Sequence, residues 1–146
     1  MIGGLTPKRI EDMRITNTSE YAIRAIVYMA KNPELSYSAT ELYPYLDAPQ
    51  KFLAKILQKL AKKKILKSQR GVKGGFKLAV PLENLTLVDI IEAVDGEIAL
   101  NKCLLTDYDC KREPKCPVHP LWEEAQIKLK EALNRKTIAE IVNDLK

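Results

Sequence analysis

Between Lys51 and Lys77 the chain carries ten basic residues and no acid. A solvated helix normally interleaves its charges so that residues four apart pair. A run of one sign repels itself unless a polyanion neutralises it. A phosphate backbone is such a polyanion, and a solubilising face is the plainer alternative. The run also has internal order. Phe52, Leu53, Ile56, Leu57 and Leu60 form one apolar helical stripe, with Lys51, Lys55, Gln58, Lys59 and Lys62 on the other face. This predicts a helix from Pro49 to about Lys64. Pro49 suits the first turn, where its missing N–H costs nothing. Then the period changes. Ile65 to Arg70 and Phe76 to Ala79 read as two strands. Gly71-Val72-Lys73-Gly74-Gly75 between them reads as a hairpin tip whose glycines permit positive φ.

Two shorter helices are expected upstream. Ile23, Ile26, Val27 and Ala30 recur at helical spacing, so a first helix runs from Ser19 to about Lys31, capped by Thr18 or Ser19 and ended by Asn32-Pro33. Ser38 with Glu41 three residues later is a capping-box pattern, starting a helix that ends near Leu46. Asp47-Ala48-Pro49 is the turn. Downstream, Thr86 to about Val94 reads as a helix with Leu87, Ile90, Ile91 and Val94 on one face. Residues 101–119 show no periodicity. Pro120 to about Asn134 is a long amphipathic helix, and Thr137 to Leu145 a short last one.

Helix, turn, basic helix and glycine-tipped hairpin follow the order of a winged helix-turn-helix. The fold class is therefore mainly α with a small β-hairpin wing. Residues 1–12 read as a loose extension, with Met13 an alternative start. Residues 13–81 form the DNA-binding part and residues 82–146 a cysteine-loop and long-helix part of one compact domain. Charge divides the same way. Residues 1–80 hold 15 Lys and Arg against 6 Asp and Glu, and residues 81–146 hold 9 against 13. No apolar run approaches the ~18 residues that cross a bilayer. No secretory signal is visible, so the expected compartment is the cytoplasm, without a membrane partner.

The expected partner is a double-stranded DNA operator. The leading turn of the basic helix offers Pro49, Gln50, Lys51, Ala54 and Lys55 to the major groove. Gln50 suits adenine, and Lys51 or Lys55 suits guanine or phosphate. The wing offers Ser68, Arg70, Gly71, Lys73 and Gly74, with Arg70 able to enter a narrow minor groove. No GxGxxG, P-loop, C-x-x-C or nucleophile–base pair points to an enzyme.

All three cysteines, Cys103, Cys110 and Cys116, lie in one short segment, and the single histidine, His119, follows at once. An odd cysteine count in a cytoplasmic chain argues against a disulfide framework. Clustered soft thiolates suit an iron–sulfur or zinc site, and three cysteines with one histidine form a valid tetrahedral zinc set. Such a zinc-stabilised or metal-free protein-interaction module is the alternative to a sensor, as is a winged-helix regulator without a cluster.

Three segments carry a family resemblance: MRITNTSEYAIRA, FLAKILQKLAKKKILKSQRGVKGGFKLA and CPVHPLW. From Met13 to about Val142 the chain resembles the Rrf2 family of bacterial transcription regulators, which includes IscR- and NsrR-like iron–sulfur regulators. The resemblance implies a homodimer in which the helix near Leu121–Leu133 pairs with its mate. It also implies an iron–sulfur cluster held by the three cysteines and responsive to iron, oxygen, redox state or nitric oxide. His119 takes the position of a histidine fourth ligand in the IscR-like branch, which favours [2Fe–2S] over [4Fe–4S]. Glu20 takes the position of a carboxylate supplied to the partner subunit in other members. An acid at a helix start also simply complements the helix dipole. The gap from Cys103 to Cys110 is one residue longer than the family's usual spacing.

Overall fold

The computed structural model describes residues 17–71, 74–104 and 116–145, and of Lys102 the backbone only. In chain order the helices are α1 (Asn17–Ala30), α2 (Ala39–Leu46), α3 (Gln50–Lys62), α4 (Leu87–Asp95), α5 (His119–Leu133) and α6 (Ile138–Asp144). Between α3 and α4, strands β1 (Leu66–Gln69) and β2 (Gly75–Leu78) form an antiparallel hairpin. Two 3-10 turns, Leu82–Asn84 and Lys102–Leu104, flank α4. The architecture is mainly helical with a two-strand wing.

Helix α1 is the hub, in contact with α2, α3, α4, α6 and β2. Ala22 and Ala25 are fully buried and leave room for neighbouring helices to approach, while Ile26 and Met29 fill the space between them. Leu53, Ile56, Leu57 and Leu60 of α3 enter the same core, as do Ile90 and Val94 of α4. Each fully buried side chain of this size contributes about 1.5–3 kcal/mol relative to exposure. The chain end closes on α4 through a backbone bridge between Thr86 and Thr137, and the Ile138 N–H donates to the Leu85 carbonyl at 2.7 Å.

Three helices start with a reciprocal capping box: Ser38 with Glu41, Thr86 with Asp89, and Thr137 with Glu140. Each satisfies N–H groups that a helix start otherwise leaves open. The cap expected for α1 is different. Thr18 and Ser19 lie inside the helix, and Ser19 is completely buried. Its hydroxyl donates to the Asp95 carboxylate at the end of α4, a tertiary link and not a cap.

Other differences are also tertiary. Phe52 leaves the apolar stripe and is 58% exposed. The buried residues of α3 centre on Leu53 and Leu60, which turns Phe52 to the flank. Lys59 is not a purely solvated residue, because its ammonium donates to the Val94 carbonyl of α4 at 3.4 Å. The expected loop over 101–119 contains a 3-10 turn at its start, and α5 begins at His119.

Helix α3 ends with Lys64 in the left-handed region, φ 66°, where the Ile65 N–H reaches back to the Leu60 carbonyl. Glycine is favoured at this position because a Cβ there is strained. Lys64→Gly is expected to stabilise the protein by about 1 kcal/mol, which thermal unfolding would show as a rise of roughly 2–4 °C. An unchanged or lower Tm would mean that Lys64 makes a compensating interaction.

Helix α5 differs from the rest, since none of its residues is buried. Trp122, Gln126, Leu129 and Leu133 are half-buried, whereas Leu121 is 64% and Ile127 53% exposed. Among the described residues no helix is long and apolar enough to cross a membrane.

Candidate nucleic-acid interface

The buried stripe of α3 fixes what its opposite side presents. Lys51, Lys55, Gln58 and Lys62 recur every three or four residues, fall on one line of the helix and are all exposed. Like charges four apart weaken an isolated helix. Among the described residues no ion pair joins a lysine of α3 or of the hairpin to an acid. The start of α3 adds to this field. Pro49 caps the helix with no side-chain bond, and helix N-termini of this kind attract phosphate. Pro49 and Gln50 are exposed beside it, while Ala54 is half-buried. The Gln50 side-chain amide donates to the Thr40 hydroxyl at 2.8 Å, which ties the first residue of α3 to the start of α2.

The wing is built by its glycines and by a contact absent from the expected hairpin. The Tyr37 N–H donates to the Phe76 carbonyl at 2.8 Å, and the Phe76 N–H returns the bond at 2.7 Å. This pairing fastens β2 to the α1–α2 connection. Gly75 sits at φ 145°, and a Cβ there would lie 2.5 Å from the Tyr37 carbonyl oxygen. A Cβ on Gly74 would lie 2.6 Å from the Gln69 carbonyl. Burial, and then the nearby Tyr28, raises the Tyr37 phenol above its ordinary pKa.

Leu66 and Leu78 point into the core, which places the alternating Lys67 and Lys77 on the other side of the sheet. The register sets these two lysines directly opposite one another, a pairing that weakens a sheet unless an anion lies against it. The DNA-facing set expected from the sequence includes neither residue, although alternation with Leu66 and Leu78 is visible there. Ser68, Arg70 and Gly71 are exposed at the tip end of β1, and Gly74 is half-buried. Lys73 lies outside the described residues. Because α3 packs against β1, the lysine line and the base of the wing belong to one packed unit.

The residues expected to hold a metal are partly described. Cys103 is half-buried on the 3-10 turn Lys102–Leu104, which packs on α5. Cys116 is half-buried just before α5, whose first residue is His119. The His119 Nε2 lies 3.5 Å from the Glu123 carboxylate. Cys110 lies outside the described residues, and among those described no three His, Cys, Asp or Glu side chains gather in ligand geometry. Glu20 is exposed on α1 and accepts from Arg24 at 2.5 Å. The segment leading to Cys103 is tethered, since the Ile98 N–H donates to Glu92 and the Leu100 N–H to Gln126 of α5, both at 2.9 Å.

Comparison with known proteins decides the family. Residues 15–144 match the model of Rrf2, described as an iron-dependent transcriptional regulator. The chain belongs to the Rrf2 family. An HTH-type regulator of Haemophilus influenzae is 33% identical over 132 residues, covering 90% of this chain and 87% of its own length. The IscR regulator of Klebsiella pneumoniae is 28% identical over 138 residues, covering 90% of this chain and 81% of its own. Among solved structures, the global cysteine regulator CymR of B. subtilis superposes with a TM-score of 0.70 at 24% identity, covering 89% of this chain and 96% of that one. IscR of T. potens gives 0.70 at 22% identity, covering 91% and 88%. This Rrf2 protein is thus a helix-turn-helix DNA-binding transcription regulator and not an enzyme.

Proposed function

We propose that this Rrf2 regulator binds its operator as a homodimer whose affinity is set by an iron–sulfur cluster on Cys103, Cys110, Cys116 and His119. In this reading α3 enters the major groove, led by Gln50, Lys51 and Lys55, and Arg70 of the wing enters the adjacent minor groove. Pro49, Ala54, Ser68, Gly71, Lys73 and Gly74 complete the contact surface. The unburied face of α5, with Leu121 and Ile127, pairs with its mate. The site of action is the cytoplasm, where thiols stay reduced.

The observation that carries the cluster reading is the packing of the Cys103 turn against α5, the helix that opens with His119 just after Cys116. The donor set fits. Thiolates and imidazole suit iron, and the positive end of α5 favours the negative charge that thiolates bring. A [2Fe–2S] centre is favoured over [4Fe–4S], and Glu20 of the partner subunit is the alternative fourth donor. When bound, such a group supplies a redox-labile bond set that responds to iron, oxygen or nitric oxide. The chain's own residues carry the response. Gln126 and Glu92 hold the backbone at Leu100 and Ile98, on the way to Cys103, and Lys59 holds the end of α4 to α3. A shift of the cysteine segment therefore has a packed route to the DNA-reading helix. It shifts the equilibrium only by its differential affinity for the two states.

The test is iron and acid-labile sulfide content with a visible spectrum on anaerobically purified protein, followed by operator affinity with and without the cluster. Iron and sulfide in near-equal amounts are expected, with an affinity change of at least fivefold, the lower end of common allosteric couplings of about 1–3 kcal/mol. Cys110→Ala is expected to abolish both. Zinc alone, or equal affinity in the two states, would remove the sensing mechanism and leave DNA binding intact.

A further inference from the structure

We propose that Thr40 is a positioning residue that presents the Gln50 carboxamide to an adenine of the operator. This rests on the placement of α3 in the major groove. Gln50 is the exposed first residue of α3, and its amide nitrogen donates to the Thr40 hydroxyl at 2.8 Å. An amide nitrogen carries two hydrogens. One is taken by Thr40, which leaves the other N–H and the carbonyl oxygen of this exposed residue to a ligand. Adenine shows an acceptor and a donor side by side on its major-groove edge, and one N–H with one C=O is the matching pair. Guanine shows two acceptors, so its O6 would meet the amide carbonyl and be rejected.

Thr40 is itself held. It occupies the first turn of α2, whose start is locked by the Ser38–Glu41 capping box. Glutamine is among the side chains that lose most rotamer freedom when ordered. Fixing the amide before binding moves that loss from association to folding. Thr40 is uncharged and neutralises no phosphate, so it affects base choice and leaves the salt dependence of affinity alone.

The experiment begins with selection of operators from randomised duplex DNA by the full-length wild-type protein. Affinities are then measured for the selected duplex and its single-base variants, using wild type, Gln50→Ala, Thr40→Val and Thr40→Ser. The wild type is expected to prefer adenine at one position per half-site by roughly tenfold. Gln50→Ala abolishes that preference. Thr40→Val, nearly the same shape, reduces it to about two- or threefold while non-specific affinity and salt slope stay unchanged. Thr40→Ser restores it. An adenine preference that survives Gln50→Ala overturns the assignment of Gln50. A preference lost in Gln50→Ala but intact in Thr40→Val overturns the role of Thr40, as does a loss spread equally over all duplexes. Enrichment of no sequence by the wild type would overturn the groove placement itself.

Discussion

Gly75→Ala is expected to release the wing from the body and to destabilise the protein by about 3 kcal/mol. Two effects act together. The backbone at Gly75 has φ 145°, a conformation L-residues rarely adopt. The new methyl would also lie 2.5 Å from the Tyr37 carbonyl oxygen, within a backbone pairing that cannot yield without losing two hydrogen bonds. For a domain of this size the cost corresponds to a fall in Tm of roughly 6–12 °C. Operator affinity is expected to fall with it, because the same hairpin carries Arg70, the proposed minor-groove contact. Gly71→Ala is the control. Gly71 has φ 112°, but nothing lies within 4 Å of its Cβ position, so it reports backbone strain without the clash. If the two variants lose equal stability, the Tyr37 contact has no special weight.

The second large effect is expected at α5. Leu121→Glu with Ile127→Glu should convert the proposed dimer to monomer and weaken operator binding by roughly 100-fold or more. Two linked half-site contacts gain about that factor over one. Both residues are more than half exposed, and no residue of α5 is buried within the subunit. The subunit itself should therefore keep its fold, with Tm little changed apart from the lost contribution of association. Light scattering gives the mass, and titration of full and half operators gives the affinity ratio. A double variant that stays dimeric would place the interface elsewhere. One that becomes monomeric yet binds the full operator as tightly as before would separate dimerisation from DNA reading.

Much of the fold is legible because its signals are local. The apolar stripe of α3 and the change of period at Ile65 predict the helix and hairpin to within a few residues. The Ser38–Glu41 box forms as its spacing predicts. The same pattern at Thr86–Asp89 and Thr137–Glu140 marks two further helix starts, and it is equally visible in the chain. The single-signed charge from Lys51 to Lys77 points to a polyanion partner, and among the described residues no ion pair offsets it. The cysteines and His119 are grouped by sequence alone; in the structure Cys116 lies just before α5, which opens with His119.

What the sequence by itself determined, then, is the order of elements, the face of α3 that must be covered and the sign of the surface beside it. Each follows from interactions between residues a few positions apart. The tertiary structure alone decided the rest. The exposure of Phe52 depends on which neighbours surround α3. The burial of Ser19 against Asp95 joins residues 76 positions apart. The Tyr37–Phe76 pairing and the Gln50–Thr40 bond join separate elements. Local periodicity holds no information about such contacts, because they form only when the packed core brings distant backbone segments within hydrogen-bonding reach.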